Sequence, residues 1–226
     1  ETVLPHAHVA FMGASPHTHM GHVQDVVGSM ESGPAGNKFV GLSGKSDAFT
    51  DKDREHILNR QSNDKVEAKV EKTAGETVGR AFRSMKSTGG HLHLHFGHDR
   101  KSMAEGLKKS IEAGKIPELN GKRPASVTLH FPKNENRSHG MSGTKLRDAA
   151  SKGDIKTYRE HLGPSFSSDE AHNMMTKVNS AIKSGKIKVI RETLDENLSH
   201  KHFGPMLDTF VDFASEKLGI KSLPNI

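Results

Sequence analysis

Val9-Ala10-Phe11-Met12-Gly13-Ala14-Ser15-Pro16-His17-Thr18-His19-Met20-Gly21-His22 is the stretch on which the reading of this chain turns. Four apolar residues run into a glycine-containing turn, and beyond it Val23, Val26, Val27 and Met30 recur at helical spacing. The order is strand, turn, helix. A turn of this kind aims backbone N–H groups at one small volume, here together with two imidazoles, and such a volume suits a phosphate.

Outward from that stretch the same alternation continues. Lys38-Phe39-Val40-Gly41-Leu42 reads as a second strand, the strictly alternating His91-Leu92-His93-Leu94-His95-Phe96 as a third, and Val127-Thr128-Leu129-His130-Phe131 as a fourth that stops at Pro132. Thr50 with Asp53 predicts a capping box for a helix from about Asp51 to Arg60. Residues 64–86 read as helical with a break near Ala74-Gly75, the charged part before it forming a solvated face. Met103, Leu107 and Ile111 mark the next helix. A polar loop from Lys133 to Gly140 leads to further helices, one carrying Ile155 and Tyr158, another Ala171, Met174, Met175, Val178 and Ile182 after a Ser167-Ser168-Asp169 start signal. Strands alternating with helices predict an α/β fold, a parallel sheet wrapped by helices on both faces. The expected division is an α/β domain over 1–186 and a helical extension with a linker over 187–226, whose stripe is Leu207, Phe210, Val211, Ala214 and Leu218.

Composition bounds the chemistry. The 226 residues suffice for one good-sized domain, and 32% hydrophobic content is low for that size, so some segments are expected to rely on a partner. A net charge of +6 pulls mildly toward phosphates, but acidic and basic residues are interleaved, without the blocks of a nucleic-acid tail. The absence of cysteine excludes disulfides, thiolate nucleophiles and Cys-type zinc sites, and fits a reducing, cytoplasmic setting. No apolar run reaches the ~20 residues of a membrane span, and no signal-peptide pattern is present. Glu1 at the start and a linker-like end suggest a piece of a longer polypeptide.

Three motifs now stand in order: His19-Met20-Gly21-His22 after the first strand, Gly97-His98-Asp99-Arg100 after a middle strand, and Ser142-Gly143-Thr144-Lys145-Leu146-Arg147 opening a later helix. The set resembles the nucleotidyltransferase superfamily of cytidylyl- and adenylyltransferases over roughly residues 8–184, and is most similar to such domains in large bacteriophage proteins. The resemblance implies a Rossmann-like sheet and transfer of a nucleotidyl group from ATP or CTP, with Mg²⁺, to a phosphorylated or hydroxylated acceptor, releasing pyrophosphate. It implies that His19 and His22 donate to phosphate oxygens and that Arg147 neutralises the departing pyrophosphate. Gly13, Gly21, Asp99, Ser142, Gly143, Thr144 and Lys145 would line the nucleotide and phosphate site, with no protein metal ligand assigned. A location in the host cytoplasm or the virion follows from the phage likeness.

Other readings compete. Family members commonly have an aromatic, a polar residue and a proline where this chain has Ser15, Pro16 and His17, so a nucleotide-binding or structural module without catalysis is the alternative. His17-Thr18-His19-Met20-Gly21-His22 also has the H-x-H-x-x-H spacing of dinuclear zinc hydrolases, but glycine stands where they need an aspartate. Gly44-Lys45-Ser46 lacks the spaced first glycine of a Walker loop. His91, His93 and His95 share a strand face, with His8 and His130 on other strands. They are either metal ligands or hydrogen-bonded histidines packed beneath a helix.

Overall fold

The computed structural model describes residues 4–85, 89–97, 100–131 and 140–188. β1 (His6–Gly13) is the central strand of a sheet completed by β2 (Asn37–Ser43), β3 (Glu67–Val70), β4 (His91–His95) and β5 (Ser126–His130). The order is β3-β2-β1-β4-β5 and every neighbouring pair is parallel. Parallel neighbours need crossovers, which the helices provide. α1 (Met20–His22) continues through a π-helical turn (Val23–Val27) into α2 (Gly28–Glu31), and α3 (Asp51–Gln61), α4 (Ala74–Ser84) and α5 (Lys101–Glu112) make the later connections. The chain winds from β1 out to β3, then crosses back to β4, so the winding reverses between β1 and β4. This is the expected α/β Rossmann-like architecture with helices on both faces.

One face of the sheet sets Ala7, Val9, Leu92 and Leu94 against Val78 and Phe82 of α4 and Ala104 and Ile111 of α5. The other sets Ala10, Met12, Val40 and Leu42 against Val26, Val27, Met30 and Leu58. A third cluster joins α6 (Gly143–Lys152), α7 (Ile155–Leu162) and α8 (Ser168–Lys183) through Leu146, Tyr158, Leu162 and Val178, with Ile57 of α3. Both expected start signals act as caps: Thr50 and Asp53 form a reciprocal capping box, as do Ser167 and Glu170.

Two sequence expectations change. The helix expected over 64–86 is a strand followed by a helix, because Val66 and Ala68 are buried while Glu67 and Lys69 are exposed, a period of two. The charges taken for a solvated helix face blunt an edge strand instead. Met103 is exposed, and Ala104 and Ile111 do the packing expected of it. Asp99, loop residues 133–139 and the Leu207–Leu218 stripe lie outside the described residues. Among the described residues no helix is long and apolar enough to cross a membrane.

On the second face the β4 half carries imidazoles where the β2 half carries aliphatic side chains. His6 sits opposite His91, His8 opposite His93, and His95 opposite His130. The rings hydrogen-bond diagonally, His6 Nδ1 to His93 Nε2, His8 Nδ1 to His95 Nε2 and His93 Nδ1 to His130 Nε2, each at 2.9 Å. Donor directions follow from the ends. The Pro34 carbonyl, 2.7 Å from His8 Nε2, only accepts, so His8 holds its proton there and presents a bare Nδ1. His95 must then donate from Nε2 and accept at Nδ1 from the Ser29 hydroxyl, 2.9 Å away. Gly33 makes room, since a β-carbon there would stand 2.7 Å from His8 Cε1. Both nitrogens of His8, His93 and His95 are engaged in hydrogen bonds. Among the described residues no three His, Cys, Asp or Glu side chains are placed to hold a metal ion.

A ladder of this kind is stable only while neutral. Burial is the first cause lowering His8, His93, His95 and His130, with neighbouring imidazoles adding to the effect at His8, His93 and His95; His93 falls to about 4 and His95 to about 2. The unfolded chain therefore binds more protons below pH 6.5, so this contribution to stability is fully present above that pH and is lost as the pH falls toward the folded-state values. Each such histidine removes at most about 1.4 kcal/mol between pH 7.5 and 5.5. Urea unfolding across that range is expected to show a summed loss of several times that figure, and a flat profile would mean that the ladder is not held neutral.

Candidate functional site

Strand carboxyl ends at a winding reversal leave a crevice that no crossover covers. Here it is a cavity of about 400 Å³ lined by Gly13, Ala14 and Ser15 after β1, His95, Phe96 and Gly97 at the end of β4, Ser43 and Gly44 after β2, and Met141 to Gly143 before α6. His19, His22, Asp25 and Arg100 complete the wall. His19 is the N-cap of α1 and has extended backbone, φ −130° and ψ 163°. One turn on, the His22 ring lies nearly parallel to it with centroids 3.9 Å apart. Both imidazoles thus stand at the start of the 20–31 helix, where aligned peptide dipoles favour an anion. Burial first, then the proximity of His22, His161 and His17, lowers His19 to about 2.

The turn that carries these rings is held from below. Arg54 of α3 is 1% exposed, and its Nη1 donates to the Ala14 carbonyl at 3.0 Å while Nη2 pairs with Asp51 at 2.8 Å. Gln61 grips the next segment: Oε1 accepts from the Thr18 hydroxyl at 2.6 Å and Nε2 donates to the carbonyls of Thr18 at 3.2 Å and Leu162 at 2.9 Å. The Ser15–Pro16 peptide is cis. His17 is buried; its Nδ1–H donates to the Thr18 carbonyl, so Nε2 is left to accept from the Tyr158 hydroxyl at 2.7 Å. Burial lowers His17 to about 4 and raises Tyr158. With both nitrogens engaged, His17 is not available as a metal ligand, and the H-x-H-x-x-H hydrolase reading loses its first histidine.

The third predicted motif arrives from across the cleft. Ser142 is the N-cap of α6, its Oγ accepting from the Lys145 N–H at 3.2 Å, and Ser142 and Gly143 line the cavity. Arg147 turns back: Nη1 donates to the Ser15 carbonyl at 3.0 Å and Nη2 to Thr144 Oγ1 at 3.2 Å. It thereby ties α6 to the turn after β1, and partial burial lowers its pKa. Lys145 is exposed, its Nζ near Gly140, and neither it nor Thr144 is part of the cavity lining. Gly13 ends β1 at the cavity floor, and Gly21 is buried inside α1. So His19, His22, Gly13, Ser142 and Gly143 meet around one volume, Arg147 braces it, and Lys145 points elsewhere.

Three contributors escaped the sequence. Arg100, at the N-cap of α5, lays Nη2 over Gly13, 3.6 Å from where a β-carbon would be, and its guanidinium forms no hydrogen bond or ion pair with the described residues. Its signal was its place at the end of the Gly97 to Arg100 stretch. Asp25 stands on the π-helical turn, a feature often found at functional sites. Arg54 had no signal, because a charged residue on a helix reads as exposed.

Fold and site together define an α/β domain with a crevice at its winding reversal, its wall carrying His19, His22, Asp25 and Arg100. The sequence matches no family model and no curated protein. Among solved structures it is similar to Thermotoga maritima TmcAL bound with alpha-thio ATP, at 12% identity and a TM-score of 0.39, over 80% of this chain and 57% of that one. A likeness that loose carries no argument about function, so the site is read from its own geometry.

Arg54→Met keeps the buried stem but removes the donors that hold Ala14. It is expected to cost about 3 kcal/mol of stability in urea unfolding, the scale of losing charged hydrogen bonds and leaving a buried carbonyl unpaired. A loss under about 0.5 kcal/mol, the range of neutral surface changes, would show that Arg54 does not hold the turn.

Proposed function

We propose that the crevice binds a nucleoside triphosphate, ATP or CTP, and that the domain transfers its nucleotidyl group to a phosphorylated or hydroxylated acceptor. The observation that carries this reading is the convergence of three kinds of anion donor on one 400 Å³ volume: the His19 and His22 pair, the Arg100 guanidinium, and the first-turn N–H groups of α6 behind Gly143. An acceptor oxygen would attack the α-phosphorus, the bond to the bridging oxygen would break, and pyrophosphate would leave with that electron pair, the acceptor's proton passing to solvent. The protein's contribution is positioning and charge stabilisation. Mg²⁺ would arrive with the nucleotide, held by phosphate oxygens and water, and Asp25 is the described carboxylate on the wall. It would neutralise charge on the phosphates.

Two observations favour a second reading, a module that binds nucleotide without turnover. Arg147, which the family resemblance assigns to the leaving pyrophosphate, is spent on Ser15 and Thr144, and His17 fills the place of the family's proline by packing against Tyr158 and Phe49.

Pyrophosphate release with ATP and with CTP over a panel of acceptors, run beside calorimetric binding, separates the two. In the catalytic case His19→Ala or His22→Ala is expected to lower turnover by at least ~10²-fold, the scale of one transition-state donor. Nucleotide binding with no release, unchanged by His22→Ala, points to the module. No binding of either nucleotide removes both readings.

A further inference from the structure

The back of His19 faces a second element. Gly163, just after α7, packs on α1 so closely that a β-carbon there would stand 2.4 Å from Met20 Sδ. Gln61 bolts the same two segments together through the carbonyls of Thr18 and Leu162. His161, in the last turn of α7, is therefore buried against the site, its ring edge-on to His19 at 69° with centroids 6.4 Å apart. Its Nδ1 lies 2.9 Å from the Thr157 carbonyl, which only accepts, so the proton sits on Nδ1 and Nε2 carries a lone pair.

That Nε2 is buried without a hydrogen-bond partner, and so is Nδ1 of His19. Orphaned buried nitrogens on adjacent rings are unusual enough to need a reason. A neutral His19 cannot serve both of its sides. With its proton on Nδ1 it can meet His161, but it turns a lone pair on any phosphate oxygen. With the proton on Nε2 it can donate to phosphate, but both buried nitrogens, His19 Nδ1 and His161 Nε2, are then left as lone pairs without a donor. An imidazolium answers both.

We propose that His161 is a positioning residue for the phosphate site: its Nε2 accepts the Nδ1–H of His19, so that a polyphosphate in the crevice captures His19 as a doubly protonated donor. This rests on the phosphate-binding reading above. Binding then takes up one proton from solvent per ligand, Nε2–H going to a phosphate oxygen and Nδ1–H to His161. The added charge faces His22 stacked on it, His17 in the preceding loop and His161 on α7, none of which is anionic. The imidazolium accordingly forms with the polyphosphate and not before it. Hydrogen bonds of this kind tighten when the ligand arrives.

Calorimetry with ATP and with inorganic tripolyphosphate at pH 6.5, in buffers of different ionisation enthalpy, counts the protons taken up. Wild type is expected to take up about one more proton per ligand than His161→Phe, which fills the same space without an acceptor, and to bind about tenfold or more tightly. His161→Gln, whose Oε1 can accept, is expected to restore most of the uptake. Equal uptake and affinity in wild type and a folded His161→Phe overturns the proposal and leaves phosphate binding standing. Failure of wild type to bind either ligand overturns both. Should His161→Phe not fold, ¹⁵N spectra of wild-type His19 decide: both nitrogens protonated in the complex supports the proposal, and one bare nitrogen refutes it.

Discussion

Pairing β1 on both edges is the constraint from which the rest follows. A strand hydrogen-bonded to β2 on one side and β4 on the other, and packed by helices on both faces, has no exposed backbone and no freedom of register. Because both neighbours are parallel, all three strands end on the same side, and the winding reverses there. The turn from Gly13 to Met20 is thus delivered to the one crevice that the crossovers leave open. Arg54 and Gln61 then hold its carbonyls in place, and His19 and His22 come to the cavity wall through backbone geometry.

Desolvation gives the molecule its second character. Histidines gather in two groups, the sheet ladder and the rings around His19, and burial lowers His8, His93, His95 and His130 in the first and His17 and His19 in the second. In the ladder every nitrogen for which a partner is described can be assigned a consistent role, and the chain from Ser29 through His95 and His8 to Pro34 has one direction of donation. Around His19 the account does not close: Nδ1 of His19 and Nε2 of His161 stay unpaired. A closed network stabilises a fold, whereas an open one beside a cavity stores a demand that an anion can meet. His95 belongs to the first group and also lines the cavity, so the two share a boundary.

Much of the scaffold was legible in the chain. Four of the five strands carried their own pattern, and the capping boxes at Thr50 and Ser167 marked helix starts, because caps and periodicity are local. β3 was missed because a four-residue strand with two charges looks like a helix surface until β2 is placed beside it. The first and third motifs pointed to the right ends of the right elements. What the chain did not show were partners distant in sequence, as with His17 and Tyr158, or Arg147 and the Ser15 carbonyl.

The amino-acid sequence by itself determined the alternation of strand and helix, and with it a parallel sheet whose first turn carries His19 and His22. Tertiary structure alone decided what those rings touch. His17, His19 and His161 are the same residue type with the same ordinary pKa. One became a bolt, one a pocket wall and one the acceptor proposed behind it, because burial and the partners within or beyond hydrogen-bond reach set the role of an imidazole, and both are decided when segments far apart in the chain are packed together.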